Sequence, residues 1–135
     1  MLTIVDLSTL TVTNPNPIVI TDGYHDHISM GANGQLFVGA HDCTEILPSG
    51  GNKETRGCLS IYNTKSGAVL IPSNSGDVTG LLPIANRAVV YVVQKNISSG
   101  TPVGELEIFD TGTDKLQKTQ IDISGDAVDV VAVDE

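Results

Sequence analysis

Leu106-Glu107-Ile108-Phe109-Asp110 has two counterparts in this chain, Leu2-Thr3-Ile4-Val5-Asp6 and Leu59-Ser60-Ile61-Tyr62-Asn63. Each stretch runs apolar, polar, Ile, apolar, then Asp or Asn. Each is followed by a polar turn and another short apolar run. The three start 57 and 47 residues apart (59 − 2 and 106 − 59). Similarity at such an interval marks one supersecondary unit used repeatedly. A unit of this kind cannot bury its own faces and must stack on its neighbours.

Outward from these stretches the chain reads as many short strands. Helical periodicity is absent. Pro and Gly are spread throughout, and the apolar runs are four to six residues long and rich in β-branched types. Polar stretches at 14–17, 49–57, 96–104 and 111–114 read as turns or loops. Four strands, A to D, can be aligned between units. Strand A is expected at 25–31, 78–84 and 127–133, each after a glycine: Gly23, Gly76 and Gly125. Strand B is expected at 35–42 and 88–94, strand C is the repeated pentapeptide, and strand D is expected at 17–21, 68–72 and 116–123. Asn33-Gly34 reads as a two-residue hairpin turn, since both residues tolerate positive φ. The expected organisation is strands C and D in 1–22, complete four-stranded units in 23–75 and 76–124, and strand A of a following unit in 125–135.

At 135 residues this is one domain or a piece of one. Hydrophobic residues make up 40%, a globular composition, while aromatics are only 4% and Trp is absent, so the core must come from Val, Ile, Leu and Ala. Seven basic residues face sixteen acidic ones, for a net charge of −9. With no basic cluster, nucleic acid and anionic membrane surfaces would be repelled. No apolar run approaches the roughly 20 residues of a membrane span, and Met1 leads into a strand-like segment without the pattern of a signal peptide.

Radially repeated antiparallel meanders build β-propellers, and the residues resemble bacterial propellers of the YVTN or lactonase-like class. Strand A of that class resembles Gly125-Asp126-Ala127-Val128-Asp129-Val130-Val131-Ala132-Val133. Its strand B resembles Val90-Tyr91-Val92-Val93-Gln94-Lys95-Asn96, and its strand C resembles the run from Leu106 to Thr113. The resemblance implies an all-β fold of four-stranded antiparallel blades. Complete propellers have about four to eight blades, so two complete blades and two partial ones imply a segment of a larger protein or a self-assembling partial propeller. The partners implied are the remaining blades of a parent protein or further copies meeting through open strand edges.

All three histidines fall in the second unit. With a two-residue Asn33-Gly34 turn, His25 faces Asp42, Asp26 faces His41 and His27 faces Ala40. Because side chains alternate, His25, His27 and Asp42 then share one face. Two imidazoles and a carboxylate are a candidate ligand set for a divalent metal, the one cofactor the residues allow. His25, His27, His41 and Asp42 together form a candidate ligand-binding patch. The same residues also read as a solvated, hydrogen-bonded strand end, or as a pH-responsive patch. Cys43 and Cys58 are expected to face each other at the mouth of one long loop, where a disulfide would close it. That pairing implies an oxidising, extracellular, periplasmic or cell-surface location; two reduced thiols are the alternative. The loop itself, with Glu45, Lys53, Glu54 and Arg56, is either a recognition loop or a tolerated insertion. Asn96-Ile97-Ser98 fits the N-glycosylation pattern. Asp6, Asn63 and Asp110 are expected to be turn formers that bond local backbone. The acidic tail at Asp126, Asp129, Asp134 and Glu135 reads as a solvated face.

No nucleophile elbow, phosphate-binding loop or dinucleotide-binding pattern occurs, and no residue is assigned to catalysis. The function expected is therefore that of a non-enzymatic scaffold or binding module. The alternative is a fragment of a lactonase-like or metal-dependent hydrolase that uses the His/Asp patch to activate water.

Overall fold

A computed structural model describes residues 1–43, 57–72, 76–98 and 101–132. The fold is all-β. Two four-stranded antiparallel sheets dominate it, each a simple meander. The first comprises β3 (Tyr24–Met30), β4 (Gln35–His41), β5 (Leu59–Asn63) and β6 (Val69–Leu70). The second comprises β7 (Asp77–Ile84), β8 (Val89–Ser98), β9 (Thr101–Asp110) and β10 (Lys115–Ser124). Ahead of them lies a two-stranded hairpin of β1 (Val5–Asp6) and β2 (Thr11–Val12). No helix among the described residues is long and apolar enough to cross a membrane.

The three pentapeptides end in three hairpins of one geometry. Asp6 pairs with Thr11, Asp110 pairs with Lys115, and Asn63 N bonds the Ala68 carbonyl, with four residues in each turn. In each turn the side-chain oxygen of the Asp or Asn accepts backbone N–H bonds from residues two and three ahead. For Asp6 the donors are Ser8 N at 2.7 Å and Thr9 N at 3.2 Å. For Asn63 they are Lys65 N and Ser66 N, both at 3.0 Å, and for Asp110 they are Gly112 N and Thr113 N, both at 2.9 Å. The last turn residue has positive φ in all three: Leu10 at 55°, Gly67 at 75° and Asp114 at 56°. Short side-chain acceptors thus satisfy turn N–H groups that no strand can reach. One expectation is corrected here. The strand after the first turn is β2, whereas 17–21 contributes only the single bridge Leu2↔Ile18. The chain re-enters a strand directly after its Asx turn, as it does at β6 and β10.

The two sheets pack face to face. Phe37 and Phe109, both essentially without solvent contact, meet edge to face with ring centroids 6.1 Å apart. Around them lie Leu59, Ile61, Val78, Val90 and Val92, all fully or almost fully buried. Gly39 lets β7 approach closely: a Cβ at this position would stand 2.4 Å from Val78 Cγ1. At the turn end of the interface Gln35 Nε2 donates to Asp114 Oδ1 at 2.6 Å and to the Thr111 carbonyl. Asn33 Nδ2 donates to Thr111 Oγ1 at 3.1 Å, and Asn63 Nδ2 to Asp114 Oδ2 at 3.2 Å. The outer face of the first sheet is covered by the segment carrying Ile20 and Thr21, whose Thr21 N bonds Ser60 Oγ at 3.0 Å.

Residues 125–132 were expected to begin a further strand. Gly125 is assigned a single bridge, residues 126–132 belong to no strand among the described residues, and the segment lies over the outer face of the second sheet. Thr79 Oγ1 donates to the Ala127 carbonyl at 2.8 Å, and Lys95 Nζ pairs with Asp126 at 3.2 Å. Two glycines permit the approach. A Cβ on Gly80 would stand 3.0 Å from Val130 N, and one on Gly104 would stand 2.9 Å from the Gly125 carbonyl. At the equivalent place between the sheets, Asp77 Oδ1 accepts from Asp42 N at 3.0 Å. Asp77 and Asp126 each follow a glycine, and each holds the residue just past or near the end of the preceding sheet's second strand.

The stretch 96–104, expected as a loop, is mostly strand. β8 and β9 pair as far as Ser98↔Thr101, and the backbone of Asn96 to Ser98 is part of that ladder. Alternating and β-branched residues on both sides of the turn extend the hairpin beyond the polar composition that suggested a loop.

Two outcomes are expected from this packing. Gly39→Ala should lower stability by about 1–3 kcal/mol through overpacking. Val78→Ala in the Gly39→Ala background should restore part of the loss, and urea denaturation of the three variants checks it. The Asp110 carboxylate is held below its ordinary value, chiefly by the Thr113 N–H and then by the Thr113 hydroxyl. Asp6 is held low by the Ser8 hydroxyl first. A folded value below the unfolded one gives stability that is present above the unfolded value and is lost as pH falls through the folded value. Asp110→Asn keeps an acceptor oxygen, as Asn63 has, but removes the titration. It should therefore leave the neutral-pH melting temperature nearly unchanged and make the decline below about pH 4 shallower. Thermal melts from pH 2 to 7 measure both.

Candidate functional site

Two local features build a cleft at the end of the sheets where β3 and β7 begin. The first is the turn between β3 and β4. Gly31 accepts from Gly34 N and donates its own N–H to the Gln35 carbonyl, so the loop has three residues, 32–34, with Gly34 at φ 87°. The expected two-residue turn is thus replaced by a type I turn closed by a left-handed glycine. The register shifts by one: Met30 pairs with Leu36 and His27 with Gly39. A one-residue shift exchanges the faces of every side chain on the strand.

The second feature is a bulge at Asp26. His27 pairs with Gly39, but His25 pairs with Ala40 and Tyr24 with His41. The strand thereby gains one unpaired residue, and that residue is Asp26. β7 carries a bulge at the matching place, between Val78 and Gly80, which leaves Thr79 unpaired. Bulges turn a side chain out of the alternation of its strand. Here they aim Asp26 at the histidines and Thr79 at the C-terminal segment.

Asp26 Oδ2 lies 3.1 Å from His41 Nδ1, and Asp26 Oδ1 lies 3.7 Å from His27 Nε2. One carboxylate therefore bridges two imidazoles. The His41 ring stacks on Tyr24 with centroids 5.3 Å apart. Asp26, His27 and His41, with Asp77, Thr79, Lys95 and Val128, line an open cleft of about 360 Å³. Its walls come from both sheets and from the C-terminal segment. All three side chains at its centre are between one-third and one-half exposed, so a ligand can reach them.

The residues singled out in the sequence are distributed differently from the expectation. His25 does not join the group: its Nε2 donates to the Thr21 carbonyl at 2.8 Å, since a carbonyl can only accept. The Asp42 carboxylate is 72% exposed and lies 3.9 Å from His41 Nε2, while Asp42 itself has positive φ, 54°. The expected metal set of His25, His27 and Asp42 is therefore not gathered on one face, because the changed register and the bulge redistribute it. Among the described residues no group of three or more His, Cys, Asp or Glu is placed to hold a metal ion. His27 and His41 line the cleft, with Asp26 where Asp42 was expected.

Cys43 and Cys58 are joined as a disulfide, with Cα atoms 5.6 Å apart. It ties the end of β4 to the start of β5, beside the cleft, and Cys58 is buried in the inter-sheet core. The loop residues Glu45, Lys53, Glu54 and Arg56 lie outside the described residues, as do Asp134 and Glu135. Sequence reasoning missed Asp77, Thr79 and Lys95 as lining residues. The signal for Asp77 was the repeated Gly-Asp dipeptide; the bulge at Thr79 carried none.

Chemically the cleft offers carboxylate acceptors, imidazoles able to donate or accept, and one ammonium group. The Lys95 ammonium is engaged by Asp126, and the Thr79 hydroxyl is engaged by the Ala127 carbonyl. No hydroxyl or thiol among the described lining residues is paired with a base. Compared with known proteins, the chain matches no family model, no curated protein and no solved structure.

Proposed function

We propose that this chain is a run of β-propeller blades that acts as a non-enzymatic scaffold or binding module and takes its ligand in the Asp26/His27/His41 cleft. The single observation that carries the propeller reading is the repeated junction. Asp77 holds the backbone N–H of Asp42 where the second sheet meets the first, and Asp126 holds Lys95 where residues 125–132 meet the second. Each new segment thus docks on the preceding sheet through a Gly-Asp at its start. Three turns of one geometry at Asp6, Asn63 and Asp110 support the same reading.

In this reading residues 125–132 are the inner strand of a further blade, and the exposed side chain of Val131 (71%) faces that blade. The remaining blades come from a longer parent protein or from other copies of the chain. A disulfide beside the cleft suits an oxidising, extracellular or cell-surface setting. Ligand sites near the axis suit a cleft built where the inner strands begin.

Light scattering during size-exclusion chromatography tests how the blades are completed. Copies that complete one another should elute as a discrete multimer of the 14.1 kDa chain, with a mass that falls on dilution. A chain that stays monomeric at every concentration rules out self-completion and leaves the parent protein as the only source of further blades. The repeated junction is tested separately by a double-mutant cycle on Lys95→Ala and Asp126→Ala, read by urea denaturation. The pair should show a favourable coupling of about 0.2–1 kcal/mol, and a coupling indistinguishable from zero would remove the support for a further blade.

A further inference from the structure

The packed interface holds one ionisable group that neither the cleft nor the turns use. Glu107 lies on β9 between Phe109 and Glu105, on the face turned toward the first sheet, and is 7% exposed. Val92 of β8 stands opposite it, and its diagonal neighbour on the same face is Gln94, which stands opposite Glu105 and has no solvent contact. Gln94 Nε2 donates to Glu107 Oε2, and Gln94 Oε1 has no hydrogen-bond partner among the described residues. A buried amide oxygen without a donor is costly. An ionised Glu107 carboxylate, being acceptor-only, cannot relieve it.

A neutral carboxylic acid can. It pairs with a primary amide through two parallel bonds, N–H to the acid oxygen and O–H to the amide oxygen. We infer that Glu107 is held as the neutral acid in a two-bond pair with Gln94, which makes the contact between the two sheets pH-dependent. Burial raises the affinity of Glu107 for its proton, the nearby Glu105 charge adds to that, and the Gln94 N–H opposes it. The charged groups that surround the pair are mostly of the same sign. Glu105 lies on the same strand, and Asp122 of β10 pairs with Glu105. Asp77 of β7 sits 3.7 Å from the Cys58 sulfur of the first sheet. The buried residues of β4 and β5 carry no charged side chain. Lys95, next to Gln94 on β8, points to the opposite face of its strand and pairs with Asp126, and the imidazoles of His27 and His41 face Asp26 in the cleft.

The sign is opposite to that of the turn aspartates. A carboxyl with a folded value above its unfolded one favours the native state most at low pH, and this contribution is lost as pH rises through the raised value. Acid thus weakens the Asx turns while it strengthens the sheet contact. The inference does not depend on the propeller reading.

Glu107→Gln reproduces the neutral acid, because two amides can also form two parallel bonds. The ratio of unfolding constants, wild type over variant, should be flat below the ordinary carboxylate range. It should then rise about tenfold for each pH unit by which the folded value exceeds the unfolded one. Urea denaturation from about pH 3 to 8 gives this ratio, and the turn aspartates cancel in it. A ratio that does not change with pH would overturn the inference. Should the variant fail to fold, the wild type provides a second readout. The Glu107 carboxyl carbon resonance should titrate above the ordinary range, and the Gln94 side-chain amide protons should shift with the same midpoint. A Glu107 midpoint at or below the ordinary range, or Gln94 protons that ignore it, would equally overturn it.

Discussion

Everything in this fold leans on the contact between two sheet faces that centres on Phe37 and Phe109. A four-stranded meander buries neither of its faces alone. The chain has few aromatic residues, and two of them meet here. Around the ring pair, aliphatic residues from β4, β5, β7 and β8 complete the core, and Gly39 brings the sheets close enough for dispersion contacts to accumulate. Polar side chains finish the edge: Gln35, Asn33 and Asn63 reach across to Thr111 and Asp114. The interface is thus apolar in the middle, hydrogen-bonded at the turn end, and open as a cleft at the other end.

The cleft follows from that contact. Its lining residues come from β3, β4, β7 and β8 and from residues 125–132, so it exists only while the second sheet sits on the first. The two bulges, at Asp26 and Thr79, occur at matching places in the first strand of each sheet. They have different consequences because the residues differ. Asp26 gathers two histidines, and Thr79 anchors the C-terminal segment. One backbone device therefore gathers ionisable side chains in one sheet and anchors a segment on the next.

Much of the architecture was legible in the sequence, because short apolar runs and Gly-rich punctuation separate strands cleanly. Asp6, Asn63 and Asp110 could be read as turn formers, since an Asx acceptor acts on its own backbone within three residues. The register of β3 on β4 could not. Asn33-Gly34 fits a two-residue turn as well as the last two residues of a three-residue one, and only contact with the rest of the sheet decides. The one-residue difference in register put Asp42 off the face of His27, and the bulge at Asp26 put His25 off it as well. Bulges leave no compositional trace, so the role of Asp26 was also hidden. Glu107 was hidden for another reason. In Leu106-Glu107-Ile108-Phe109 the alternation places Glu107 on the same face as Phe109, but a charged residue suggests solvent. Its burial depends on Gln94, 13 residues away.

The central claim is that neither sheet is stable without the other, and native-state hydrogen exchange on wild type and Phe37→Leu tests it most directly. Phe37 belongs to the first sheet only. The account predicts that the most protected amides of β8 and β9 lose as much protection as those of β4 and β5, since both open together. If the amides of β8 and β9 kept wild-type protection while those of β4 and β5 lost theirs, the sheets would be independent units and the account would be wrong.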